Sequence, residues 1–209
     1  MELLKSRLPK VLHTDSHSDE TGGYFIRSVY FEDIDFTAYR EKLHGVEKRT
    51  KYRLRWYNFD DSFILLEKKM KDGEMTGKLS ARVSRAEAES LLSGENLAWA
   101  SRNELLQEFA RLRRQTHRPV VVVDYDRCAY TWPTEDVRVT LDQNIRTCPY
   151  RPELFEPWLL TIPVMEPGEQ VLEVKYNAFL PAHVAMLIED VPKQRSSVSK
   201  FVHCLSLLE

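Results

Sequence analysis

Four stretches of this chain place cations at alternating positions, three of them together with an isolated acid. Lys51, Arg53 and Arg55 alternate with Tyr52, Leu54 and Trp56. Glu67 and Lys69 are two apart, as are Glu173 and Lys175, the latter set against Leu172, Val174 and Tyr176. Arg138, Thr140 and Asp142 alternate with Val137, Val139 and Leu141. Successive side chains of a strand face opposite ways, so each set would share one face. A one-sided sheet with a wetted outer face gives the same alternation. Here, however, the polar positions are Arg and Lys with single acids, not an ordinary Thr/Ser/Glu/Lys mixture. Two cations about 5 Å apart repel by roughly 3 kcal/mol at an effective dielectric of 20. A row of them needs water, interleaved acids or a polyanion. Arg forks hold phosphate oxygens bidentately and Lys supplies point charge. An interspersed Glu could hold a divalent cation that bridges phosphate oxygens.

Those strands need elements to position them. Leu3, Leu4, Leu8, Val11 and Leu12 have helical spacing. Tyr24 to Phe31 reads as a strand, Asp35 to Leu43 as a short helix closed by Gly45. Lys48–Phe59, Ser62–Lys71 and Met75–Val83 read as successive antiparallel strands, with turns at Asn58–Ser62 and Lys71-Asp72-Gly73. Ser84-x-x-Glu87 is a capping box for a helix ending near Gly94. Glu104 to Thr116 is amphipathic and is stopped by Arg118-Pro119. Val120–Thr131, Val137–Asp142 and Val171–Phe179 read as strands, and Pro181 to Ile188 as a helix. Val198 to Leu208 reads as a final strand. The expectation is one α+β domain over residues 1–209, dominated by antiparallel strands, whose helices cover the apolar face of the sheet.

Composition narrows the classes. The 209 residues are 43% hydrophobic and 30% charged. Disordered, collagen-like and disulfide-dense chains are excluded. No apolar run approaches a membrane span, and MELLKSRLPK lacks the apolar core of a signal peptide. The three cysteines, Cys128, Cys148 and Cys204, are far apart with no CxxC. They read as reduced thiols of a cytoplasmic protein. The net charge of −2 argues against nucleic acid as a partner. Between Lys48 and Arg85 the charge is +6, which leaves about −8 for the remainder. A basic segment in a near-neutral protein predicts a focused anion site. His13 and His17 fall in a polar loop and do not read as zinc ligands. Tyr24, Phe25, Tyr30 and Phe31 could stack on a nucleobase but read as core.

The order YFIRSVYFED (24–33), YREKLHG (39–45), RTKYRLRWYN (49–58), LLEKKMK (65–71), GK (77–78), RPVVVVDYDRCAY (118–130), VRVTLD (137–142), LEVKY (172–176) and SVSKF (197–201) closely resembles the VTC domain. This is the polyphosphate-polymerase domain of the vacuolar transporter chaperone complex, here in a bacterial form. The ordered set spans essentially the whole chain. The resemblance implies the triphosphate tunnel metalloenzyme (CYTH-like) fold, an antiparallel β tunnel with a basic interior and helices outside. It implies a metal-dependent transferase that moves the γ-phosphate of ATP to a growing polyphosphate chain, with Mn²⁺ or Mg²⁺ as cofactor. A tripolyphosphatase or nucleoside triphosphatase, or a non-catalytic polyphosphate-binding module, are the alternatives. By motif, Arg53 and Arg55 match the phosphate-gripping RxR pair. Lys69 matches the lysine of the ExK strand, which places Glu67 beside the metal, and Lys78 matches the lysine that follows. Arg127 and Arg138 match two further arginines. Glu173 matches the metal-binding glutamate and Lys175 its partner. Ser199 and Lys200 match a C-terminal SK pair. Lys51 joins the phosphate-binding set by parity, and Arg53, Arg55, Lys69, Lys175 and Lys200 form the catalytic set.

Two departures stand out. The family's first strand carries an R-x-E-x-K-Y type motif, whereas this chain opens with MELLKSRL, so a tunnel lacking that strand is expected, with exposed edges that another copy could cover. Ser197 stands where eukaryotic polymerases have a lysine, and Arg195 lies nearby. No direct membrane insertion is expected. A membrane protein that takes up product, and a homo-oligomer, are open as partners.

Overall fold

The computed structural model describes residues 2–15, 17–20 and 22–208. In chain order the helices are α1 (Glu2–Arg7), α2 (Thr37–Leu43), α3 (Arg85–Ser93), α4 (Glu104–Gln115), α5 (Ala182–Glu189) and α6 (Lys200–Ser206). The strands are β1 (His13–Thr14), β2 (Tyr24–Glu32), β3 (Arg49–Tyr57), β4 (Asp60–Asp72), β5 (Met75–Val83), β6 (Arg118–Trp132), β7 (Val137–Pro149), β8 (Ile162–Pro163) and β9 (Gln170–Lys175). No helix among the described residues is long and apolar enough to cross a membrane. The chain forms two compact units.

One unit comprises Ile26–Asp124, Arg146–Val164 and Ser199–Glu209. In it β5, β4, β3, β2, the part of β6 up to Asp124, the part of β7 from Arg146 and β8 follow in that order. Both hairpins, β3–β4 and β4–β5, are antiparallel, and β3 pairs antiparallel with β2. Tyr52, Leu54 and Trp56 of β3, Ile64 and Leu66 of β4, and Ala81 and Val83 of β5 pack in one core with Leu91, Leu92, Leu105, Leu106 and Phe109 of α3 and α4. These are the alternate positions to the charged ones, so the helices cover the apolar face. Local signals set both helices. Ser84 and Glu87 form a complete capping box on α3, and Gly94 ends it at φ 83°, a left-handed backbone that favours glycine. The Asn103 side chain accepts from the backbone N–H of Leu105 and Leu106 at the start of α4.

Arg27 and Asp124 form a buried ion pair in this unit, 2.7 Å at the closest. Arg27 Nη1 also donates to the carbonyls of Leu154 and Glu156, at 2.9 and 2.7 Å. The guanidinium thereby holds the 154–156 segment beside β2 and satisfies its own donors.

The other unit comprises Met1–Phe25, Tyr125–Ile145 and Met165–Val198. Here β1 pairs with β6, and β9 with β7, both antiparallel. Leu4, Leu8 and Leu12 pack with Cys128, Tyr130, Val139, Leu141 and Val184. The helices again take the apolar positions. Cys128 is a packing residue there, as its parity opposite Arg127 requires.

Two segments differ from the sequence reading. Val198 to Leu208 is not a strand; it contains α6. Ser199 caps it by accepting from Val202 N–H, and Phe201, Val202, Cys204 and Leu205 are buried, a helical stripe. β9 ends at Lys175, four residues before Phe179, because Asn177 N–H turns to the Glu135 carbonyl, 3.0 Å away.

Candidate functional site

The first unit gathers six of the expected residues on one face. In register, Tyr30 lies opposite Arg53, Arg53 opposite Glu67, and Glu67 opposite Ser80. The next row runs Lys51, Lys69, Lys78, and Ser28 lies opposite Arg55. Thus β3, β4 and β5 deliver Lys51, Arg53, Arg55, Lys69 and Lys78 around one carboxylate. Glu67 is 2% exposed and lies 2.6 Å from Arg53, 3.3 Å from Lys78 and 3.9 Å from Arg55. Burial would raise its carboxyl, but Arg53, Arg55 and Lys78 hold it down at about 2. It is therefore a charge-balancing anion, enclosed by cations. The Lys51 ammonium is pushed down to about 8 by burial, against the pull of Tyr30 and with Arg53, Lys69 and Lys42 adding to the fall. Arg55 Nε donates to Ser28 Oγ at 3.1 Å, and Arg53 Nη1 to the Tyr30 hydroxyl at 2.8 Å. Ser199 and Lys200 belong to the same unit at the N-terminus of α6, where the Ser199 hydroxyl serves as the cap.

The second unit gathers the other four. Arg138 lies opposite Lys175, and Thr140 opposite Glu173, across β7 and β9. Arg127 donates to both oxygens of the fully buried Asp142, at 2.6 and 2.8 Å. That pairing raises the Arg127 guanidinium further, overcoming its burial. Arg138 pairs with Asp15 at 2.8 Å and reaches the Tyr24 hydroxyl at 3.2 Å. Glu173 is 41% exposed, with the Lys175 ammonium 3.3 Å away. Thr140 Oγ1, in register with it, is buried and without a hydrogen-bond partner among the described residues. Among the described residues no three His, Cys, Asp or Glu side chains converge for a metal. One carboxylate, here paired with the Lys175 ammonium, could serve a hard cation only with further oxygens from substrate phosphate and water.

Sequence reasoning misses four members of these clusters: Tyr24 and Tyr30 read as core, and Ser28 and Asp15 do not stand out. Tyr30 and Ser28 share a parity on β2, but only the cross-strand register shows that they meet Arg53 and Arg55.

The VTC domain model matches residues 1–209. No curated protein matches this chain. Among solved structures, a candidate adenylyl cyclase from Hippeastrum with a dominant triphosphatase activity is 14% identical, with 98% of this chain and 89% of that one covered at a TM-score of 0.58. A candidate adenylate cyclase from Bacillus halodurans is 13% identical, with 93% and 88% covered at a TM-score of 0.50. At these identities the likeness is one of fold, that of the triphosphate tunnel proteins. With the family model matched along its whole length, the chain belongs to the VTC domain family.

Proposed function

We propose that this protein is a metal-dependent polyphosphate polymerase that transfers the γ-phosphoryl group of ATP to a growing polyphosphate chain. The observation that supports this most is the row of Lys51, Arg53, Arg55, Lys69 and Lys78 on one face of three consecutive strands, with a single buried carboxylate among them. One carboxylate against five cations leaves a strong net positive field, which suits several phosphate groups in line. Phosphoryl transfer needs positioning and charge neutralisation more than covalent help. Arg53 and Arg55, each already fixed by a hydrogen bond to β2, present forks to phosphate oxygens. Lys51, Lys69, Lys78, Lys175 and Lys200 supply point charge, Ser199 a hydroxyl, and Arg127 and Arg138 further guanidinium donors. Arg53, Arg55, Lys69 and Lys200 of the first unit, and Lys175 of the second, are the residues we assign to catalysis. A Mn²⁺ or Mg²⁺ ion held by Glu173 would draw charge off the transferring group. Glu67 we assign to charge balance and not to the metal. The acceptor is the terminal oxygen of a phosphate chain.

Hydrolysis of a triphosphate is the second reading, since water in place of the chain end uses the same groups; the activity described for the Hippeastrum protein favours keeping it. The test incubates the purified chain with γ-labelled ATP and Mn²⁺ and resolves the products by chain length. A ladder of long chains is expected. Orthophosphate alone would establish the triphosphatase, and no turnover with retained tripolyphosphate binding would establish a binding module. Glu173→Gln should abolish turnover while leaving tripolyphosphate binding intact.

A further inference from the structure

Tyr30 is buried at 4% exposure in the middle of β2, on the charged face. Its hydroxyl receives the Arg53 Nη1 hydrogen bond at 2.8 Å. The Phe201 ring of α6 stacks on it with centroids 4.8 Å apart. The Lys51 ammonium lies 5.5 Å from the centroids of both rings, and the Arg53 guanidinium 5.6 Å from that of Tyr30. The charged and titratable groups around it come from several elements. β3 presents Lys51, Arg53 and Arg55, and β4 places Lys69 and Glu67 one strand further. β2 itself presents Glu32, whose carboxyl burial pushes up to about 7. α2 contributes Lys42, felt through Lys51, and α6 begins with Lys200. Glu67 already answers Arg53, Arg55 and Lys78. The buried phenol oxygen beside Lys51 and Arg53 is a further group able to become an anion.

We propose that Tyr30 is a second countercharge of this face, beside Glu67, when no polyanion is bound, ionised against Lys51 and Arg53, and that it takes up a proton from water and turns from hydrogen-bond acceptor to donor when phosphate oxygens occupy those cations. The proposal rests on the reading that this face binds a phosphate chain. The balance is simple: a phenolate oxygen gains one proton from solvent, and no phosphorus–oxygen bond changes. The local field supports it, for burial would raise the phenol, yet Arg53, Lys51 and Arg55 bring it down to about 7. An incoming polyanion reverses that field, so binding and proton uptake are linked. Affinity is then full below about pH 7 and falls as pH rises through neutrality. Lys51 pulls the same way at higher pH, so variants must separate the two.

The experiment follows the tyrosinate absorption band of the full chain between about pH 6 and 9, with and without inorganic tripolyphosphate. Calorimetry in buffers of different ionisation enthalpy counts the protons. The free protein should show a tyrosinate band that tripolyphosphate removes, with an uptake of up to about one proton. Tyr30→Phe should bind tripolyphosphate without the optical change and with a flatter pH dependence. Lys51→Arg should keep the optical change. Arg53→Lys should shift the band's midpoint upward, which identifies the phenol even if Tyr30→Phe does not fold. Tripolyphosphate binding with no change in the band, or a change that persists in Tyr30→Phe, would overturn the proposal and leave the phosphate reading standing. A band that titrates near neutrality in a chain that binds no tripolyphosphate would overturn the phosphate reading and the linkage together.

Discussion

Glu67 shows how one side chain can hold a charged face together. Burying a carboxylate costs several kcal/mol unless partners compensate, and here three cations do. Its folded value of about 2 lies below the ordinary one. Such a group stabilises the fold above its ordinary value, about 4.5, and that contribution is lost as pH falls toward 2. Denaturant titrations should therefore show an acid limb across that window, absent in Glu67→Gln. At neutral pH the same substitution should cost about 3–5 kcal/mol, because Arg53, Arg55 and Lys78 lose their anion. Tripolyphosphate should raise the melting temperature of Glu67→Gln more than that of the wild type, since it replaces the missing charge. Equal melting of the two proteins across the pH range would remove Glu67 from the charge balance. Conversely, Arg53→Ala and Arg55→Ala should each weaken tripolyphosphate binding about tenfold or more, the size of a charge-assisted hydrogen bond; an unchanged dissociation constant would take that arginine out of the site.

Elements with their own start and stop signals were legible in the sequence. The Ser84–Glu87 box, Gly94 and the Arg118-Pro119 pair bound α3 and α4, and strict alternation told which positions of β3, β4, β7 and β9 share a face. α6 was not legible. In seven residues with Val198 before it and Val202 inside, alternation and helical spacing compete, and tertiary packing decides. Its Phe201 lies 1% exposed between Tyr30 and Tyr39, with the Tyr39 ring edge-on at 6.4 Å. Likewise Tyr30 could not be told from core until the register set it opposite Arg53. Phe201→Ala should cost about 3–5 kcal/mol in denaturant unfolding, the range for deleting a buried aromatic side chain. Arg27→Ala should cost a similar amount by leaving Asp124 buried and unpaired, whereas Arg27→Met together with Asp124→Leu should recover much of it. If the double replacement is no more stable than Arg27→Ala, the carbonyl bonds to Leu154 and Glu156 matter more than the ion pair.

At the scale of the whole molecule, charge decides which polyanions can bind. The net charge is −2, while residues 48–85 hold +6. At physiological ionic strength fields fade over about 8 Å, so an anion at the basic face feels its neighbours and not the total. Nucleic acid draws most of its affinity from exposed Lys and Arg that release counterions along a rod. Arg53 and Arg55 are only 17% and 8% exposed, so a duplex backbone could not reach them in the way that it reaches surface arginines. On the proposed reading, a thin chain of phosphates is the polyanion that a nearly buried guanidinium pair would accommodate. Two results should follow. Tripolyphosphate binding should weaken with added salt, in keeping with its charge. Duplex DNA at equal phosphate concentration should fail to displace a labelled polyphosphate at physiological salt, even though both carry the same groups. Displacement by DNA at that salt would show that surface charge governs recognition, and would transfer the anion site from the Arg53–Arg55 face to the exposed basic residues of the surface.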